Sequence, residues 1–174
     1  ITGAGGLIGG YLTDFFVWLN QEHDTKTFVT CIDNWASGKP ERLQKVDSAI
    51  DLIQHDITQP VGPAFAAHWR ADYMFNAASI AAPKFYLKNP LETIAVHVDG
   101  TRNVCRHAVQ CGAKLVQFSS VEVYGEPTVM PIEESYVGAV DQLDVRACYS
   151  ESKRLAETIC MTEFRAGLPV VIAR

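Results

Sequence analysis

Five short apolar runs, separated by stretches of helical period, constrain the fold of this chain more than any other feature. They are 26–33 (KTFVTCID), 49–56 (AIDLIQHD), 71–78 (ADYMFNAA), 113–120 (AKLVQFSS) and 168–174 (LPVVIAR). Their apolar residues are continuous rather than alternating, the pattern of parallel strands covered on both faces. Helical stretches lie between them. One runs from Leu7 to Asn20. A second, from Leu91 to Cys111, carries Ile94, Val98, Cys105, Ala108 and Val109. A third, from Cys148 to Ala166, sets Leu155, Ile159 and Met161 among Glu, Lys and Arg. Gly112 and Gly167 follow the last two where a C-terminal cap is wanted. Strands alternating with helices predict βαβ units and an α/β, doubly wound parallel sheet. Right-handed crossovers put every strand C-terminus on one edge, where ligands bind.

The opening ITGAGGLIGG sharpens this to a Rossmann-type fold. Gly3, Gly6 and Gly9 are spaced G-x-x-G-x-x-G and precede the first helical stretch. Glycine permits a tight strand-to-helix turn, lets backbone approach a pyrophosphate and brings helix close to sheet. Asp33 ends the next strand, where an acid accepts hydrogen bonds from adenosine ribose hydroxyls and repels a 2′-phosphate. NAD is therefore expected rather than NADP. Asp56-Ile57 is placed to flank the adenine, and the small residues of NAAS (76–79) leave room for the middle of the cofactor.

Composition excludes other classes. The chain has 174 residues, 48% hydrophobic and 20% charged, enough for one globular domain with a core. Its net charge is −5 with no basic run, which argues against nucleic-acid or anionic-membrane partners. No apolar stretch approaches the roughly 20 residues of a membrane-spanning helix. The five cysteines are scattered without a C-x-x-C pair, so reduced thiols in a cytoplasmic protein are expected, and no metal. Ile1-Thr2-Gly3 leaves no room for a full strand before the glycines, and nothing follows LPVVIAR. The expectation is one NAD-binding domain over 1–174, truncated at both ends.

Tyr149 and Lys153 stand four apart at the start of the third helical stretch, hence on one face. A phenol with an ordinary pKa of about 10 is too weakly acidic to serve as a base at neutral pH. A neighbouring ammonium favours the phenolate, and a strand-end hydroxyl from Ser119-Ser120 would orient a substrate oxygen. The set suits hydride transfer at an alcohol carbon.

Thr2-Gly3-x-x-Gly6-x-x-Gly9, Asp33, the serine-bearing strand end and Tyr149-x-x-x-Lys153 together resemble the extended short-chain dehydrogenase/reductase family, whose members modify nucleotide sugars. Within it, EESYVGAVDQLDVRACYSESKRLAET is most similar to UDP-glucuronate decarboxylases, through Tyr136, Gly138, Val140, Arg146, Cys148, Tyr149, Glu151, Lys153, Arg154 and Ala156-Glu157-Thr158. Asn89-Pro90, Gly100-Thr101 and Asn103 fit the family's central helix. The resemblance implies NAD as cofactor, bound by Gly3, Gly6, Leu7, Ile8, Gly9, Asp33, Asn34, Asp56, Ile57, Ala77, Ala78, Tyr149 and Lys153. It implies Tyr149 as base, Lys153 as its partner, Ser120 on the C4 oxygen and Glu122 as the catalytic-loop acid. Ser120, Glu122, Tyr86 and Tyr149 would meet the nucleotide sugar. It further implies a substrate-gripping part beyond Arg174 and a homodimer through the helices of 91–111 and 148–166.

Departures refine the reaction. Val121 stands where decarboxylases have Ser and 4,6-dehydratases have an Asp acid; simple 4-epimerases often have an apolar residue there. His97 stands where Asn is common. The expected activity is oxidation of a nucleotide sugar at C4, most like UDP-xylose-forming decarboxylation. 4-Epimerisation is the alternative, and 4,6-dehydration or non-catalytic NAD binding stand behind it.

Overall fold

The computed structural model describes residues 1–62 and 70–174. Five strands appear in it: β1 (Thr30–Asp33), β2 (Asp51–Gln54), β3 (Tyr73–Asn76), β4 (Lys114–Phe118) and β5 (Val170–Ala173). Every pairing is parallel. The strands are shorter than the apolar runs, because the ladder lasts only where a neighbour supplies partners. Lys26 and Asp24 take positive φ, and Phe28 is 97% exposed, so the first half of KTFVTCID stays outside the sheet.

β1 pairs with β2, and β3–β4–β5 form a second set. Thr2 joins them, bridging to Ile32 on one side and Asn76 on the other. The spatial order is therefore β2–β1–Thr2–β3–β4–β5, running outward in both directions from Thr2. That reversal is the topological switch point of a doubly wound sheet, where crevices open at the strand C-termini. The glycine turn begins at the next residue.

Helices cover both faces. α1 (Leu7–His23) lies on one, where Thr13 Oγ1 is 3.3 Å from Cys31 Sγ and the Phe16 and Phe75 rings are 5.4 Å apart. The other face carries α2 (Pro83–Tyr86), α3 (Pro90–Ala95), α4 (Thr101–Cys111) and α5 (Ala147–Arg165). Strand alternation separates the two cores. Cys31 joins Ala4, Val29 and Leu43, whereas Ile32 joins Val104, Cys105, Leu115 and Cys160. The expected helix of 91–111 is a chain of three pieces, with a π-helical turn, Val96–Gly100, between α3 and α4. Such turns hold one extra residue and recur at functional sites. Gly112 caps α4 at φ +69°. None of the five cysteines is in a disulfide. Among the described residues, no helix is long and apolar enough to cross a membrane.

Candidate active site

The glycine turn is built by contacts that leave no room for a Cβ. At Gly3, φ is +65° and a Cβ would lie 2.7 Å from the backbone of Ala78. At Gly9 it would lie 2.2 Å from the Gly3 carbonyl oxygen. Gly6 N–H donates to that same carbonyl at 3.0 Å. The start of α1 thus closes onto the turn that follows Thr2, and the first-turn N–H groups of a helix are left without partners inside it. Leu7 and Ile8, in the first turn of α1, have exposed side chains and are not among the residues that line the crevice cavity.

Asp33 is 8% exposed and accepts from Gly5 N–H at 2.9 Å and Trp35 N–H at 2.8 Å. One oxygen serves each donor, and a carboxylate has lone pairs left for further donors. Its first task is to tie the glycine turn to β1. Asn34 donates to Asp56 at 3.1 Å, and Asp56 accepts from Thr58 N–H at 2.9 Å. Burial raises the Asp56 carboxyl, but the Thr58 and Asn34 hydrogen bonds outweigh it and hold it below the usual range. Asn103 Nδ2 reaches the carbonyls of Ile57 and Thr58 at 2.9 and 3.0 Å, so the central helix fixes this loop. A cavity of about 260 Å³ lies among these parts, lined by Gly3, Gly6, Asp33, Asn34, Asp56, Ile57, Ala77, Ala78 and Ser79. It joins the glycine cradle, the acid after β1 and the small residues after β3, a combination that fits a dinucleotide. A larger cavity of about 970 Å³ lies beside Ile1, Phe28 and Tyr73. It takes in neither Tyr149, Lys153 nor the glycines.

Tyr149 and Lys153 are both buried in the first turns of α5. Lys153 Nζ lies 5.9 Å from the Tyr149 ring centroid and donates to the Phe118 carbonyl at 2.9 Å. That carbonyl ends β4, so the strand end holds the ammonium against the phenol. Burial lowers the Lys153 pKa to about 8, against the opposing effect of Glu157. The same carbonyl accepts from Gln117 Nε2 at 3.3 Å. Gln117 Oε1 takes Asn76 Nδ2 at 2.8 Å, and Asn76 Oδ1 takes the Thr2 hydroxyl at 2.6 Å. A buried polar line therefore runs from the switch point to the lysine beneath the ligand edge.

The Tyr86 ring stacks on the Tyr149 ring at 5.1 Å and 26°. Its hydroxyl is buried beside the Arg146 guanidinium. Ser120 caps the short 3₁₀ turn Val121–Tyr124, its oxygen accepting from Glu122 N–H at 3.3 Å, which leaves its proton to donate. Ser119 points elsewhere and donates to Glu157. Glu122 is ion-paired with Arg146. Val121 is 59% exposed and brings no proton. Gly125 ends the turn at φ +63°, pressed against Ala139, and Arg154 pins the loop through the carbonyls of Val123 and Val137 at 2.8 and 3.2 Å.

Several of these parts were not legible as site residues. Arg174 grips Glu157 with two bonds of 2.9 and 2.7 Å and reaches the Tyr124 hydroxyl at 2.8 Å. His97 joins Ser79 and Ser152 beside Tyr149. Glu157 carried a readable signal, its i,i+4 spacing from Lys153. Ser79 and Ser152 meet His97, and Arg174 meets Glu157 and Tyr124, only once the chain has folded.

The model for the NAD dependent epimerase/dehydratase family matches residues 1–174. A UDP-glucuronic acid decarboxylase of Arabidopsis thaliana is 37% identical over all of this chain and 48% of that protein. One from Danio rerio is 35% identical over all of this chain and 40% of that protein. The chain thus spans about half or less of the curated relatives it matches. Among solved structures, the Bordetella bronchiseptica enzyme WbmG in complex with NAD and UDP superposes with a TM-score of 0.79. It is 28% identical, over 99% of this chain and 51% of that one.

Proposed function

The chain belongs to the NAD-dependent epimerase/dehydratase family, and from that premise we propose that it oxidises a UDP-sugar at C4, with UDP-glucuronate as substrate and UDP-xylose as product. The observation that carries this reading is the burial of Tyr149 and Lys153 together at the end of β4, at the ligand edge of the sheet. The decarboxylase relatives and the UDP-bound neighbour support the choice of nucleotide sugar. Residues 1–174 form the NAD-binding part, with Gly3, Gly6, Gly9 and the α1 N-terminus at the pyrophosphate and Asp33 and Asn34 at the adenosine ribose. NAD⁺ held by these residues would supply the hydride acceptor for the sugar carbon and the hydride for its later reduction.

The protein's own steps are proton steps. Lys153 is a cation at neutral pH, because its lowered value of about 8 still lies above 7. With that ammonium 5.9 Å from its ring centroid, Tyr149 takes the C4 hydroxyl proton. Ser120 donates to the same oxygen and orients it. Oxidation at C4 of a glucuronate gives a β-keto acid, which loses CO₂ readily. Loss of CO₂ leaves an enolate whose C5 needs a proton; Glu122, released from Arg146 and protonated from water, delivers it, and Tyr149 gives its proton back to the C4 oxygen when the ketone is reduced. Two copies pair through α3–α5, where Leu91, Ile94, Leu155, Met161 and Phe164 are exposed.

A second reading is 4-epimerisation. It is favoured by Val121, whose exposed side chain leaves that position without an acid. The test is incubation of the intact protein with NAD⁺ and either UDP-glucuronate or UDP-glucose, with nucleotide sugars resolved by chromatography. UDP-xylose and CO₂ are expected; the C4 epimer would favour the second reading. Turnover of neither would sink both. Tyr149→Phe should lower turnover by about 10²–10⁴, and a fully active variant would remove Tyr149 as base.

A further inference from the structure

One buried ring collects polar groups that the steps above leave unused. His97 sits in the π-helical turn and is 2% exposed. Its Nε2 is 2.7 Å from Ser79 Oγ and its Nδ1 is 2.7 Å from Ser152 Oγ. Ser79 lines the proposed cofactor cavity. Ser152 lies on α5 with Tyr149, whose ring meets the imidazole edge-on at 5.2 Å and 79°. The imidazole is therefore held at both nitrogens and along one edge, and it cannot turn without breaking all three contacts.

These contacts set the direction of every hydrogen bond. Ser152 has one hydroxyl proton, and that proton is directed at the carbonyls of Cys148 and Tyr149. Carbonyls only accept, so Ser152 Oγ meets Nδ1 with a lone pair. Nδ1 carries the ring proton, and Nε2 presents a lone pair to Ser79. Ser79 then donates its single proton to His97 and turns only lone pairs toward the cavity. The charged groups facing the ring reinforce the neutral form. Burial and the Lys153 ammonium push the His97 pKa down to about 2, so the ring stays neutral across physiological pH.

We infer that Ser79 is a cofactor-binding residue, an obligate acceptor for a hydroxyl or amide N–H of the dinucleotide, and that His97 is the positioning residue that makes it one. The inference rests on the reading of the 260 Å³ cavity as an NAD site. It separates Ser79 from an ordinary loop serine, which is free to rotate and to donate. It also gives His97 a task besides filling space between helix and strand.

The test uses the intact protein and needs no sugar turnover. In a histidine-labelled sample, long-range ¹H–¹⁵N spectra should show His97 as the Nδ1–H tautomer, unchanged from pH 5.5 to 8.5. By calorimetry, Ser79→Ala should weaken NAD⁺ binding about fivefold, the worth of one neutral hydrogen bond. His97→Asn, too short to span both serines, should weaken it similarly. The double variant should be no worse than either single one, because both remove the same contact. A wild type that binds no NAD⁺ would sink the cavity reading and this inference together. Binding by the wild type with both variants within twofold of it would sink the inference alone. So would an Nε2–H ring, or losses that add. Ser79→Ala is nearly isosteric and guards against a His97 variant that misfolds.

Discussion

Replacing Lys153 by methionine should stabilise the protein in the absence of cofactor while removing its chemistry. Lys153 is 3% exposed, and burial takes its pKa from the ordinary 10.5 to about 8. Each unit corresponds to about 1.4 kcal/mol, so the folded state at pH 7 carries a charge whose burial costs about 3 kcal/mol. Methionine keeps the length of the side chain and loses the ammonium. It also loses the bond to the Phe118 carbonyl, worth about 1 kcal/mol. That carbonyl keeps Gln117 Nε2 at 3.3 Å and is not orphaned. The net expectation is a gain of about 2 kcal/mol at pH 7. The pH dependence carries the stronger test. Between about 8 and 10.5 the unfolded lysine holds its proton and the folded one has released it. In that window the unfolded state binds more protons, so wild-type stability rises with pH relative to the variant. Below the window the difference is flat. Urea unfolding of both proteins at pH 7, 8.5 and 10 measures it, and the paired difference cancels other titrating groups. The variant's advantage should shrink steadily above pH 8. A variant less stable than wild type at pH 7, or an advantage constant to pH 10, would refute the reasoning.

Two further outcomes follow from the same geometry. Gly9→Ala places a methyl 2.2 Å from the Gly3 carbonyl, and the obstacle is backbone, so the turn must open. We expect a loss of about 2 kcal/mol by urea unfolding and NAD⁺ binding too weak to detect by calorimetry. Glu157→Gln removes the charge that pairs with Arg174 and receives Ser119. It should cost about 2 kcal/mol, and because Glu157 raises the lysine, the Lys153 titration should fall below about 8. A lower onset of the pH-dependent rise in stability would record that shift.

The parts readable in the chain are those encoded over a few residues. Continuous apolar runs announce buried parallel strands, and Gly3 and Gly9 announce a turn in which helix and strand touch. Tyr149 and Lys153 share a face because a helix returns every 3.6 residues, and they were legible as a pair for that reason alone. The strand limits were less legible. A strand ends where its neighbour stops offering partners, and nothing in KTFVTCID says that Phe28 lies beyond that point.

The tertiary structure decided what those local pieces are joined to. Sequence placed Asp33 at the end of a strand; the fold gave its oxygens the N–H groups of Gly5 and Trp35. Sequence marked His97 as unusual; the fold put Ser79 and Ser152 on its two nitrogens. Thr2, Asn76 and Gln117 are ordinary polar residues until the bridge at Thr2 and strands β3 and β4 align them into one buried line ending at Lys153. Glu122 carried a family position, and only the chain's return before α5 gave it Arg146 as a partner. The division has a physical cause. Backbone preference and apolar period act between near neighbours and leave a trace in any short window. A buried polar group instead must find its partner wherever the crossovers bring one, and that choice exists only once the chain has folded.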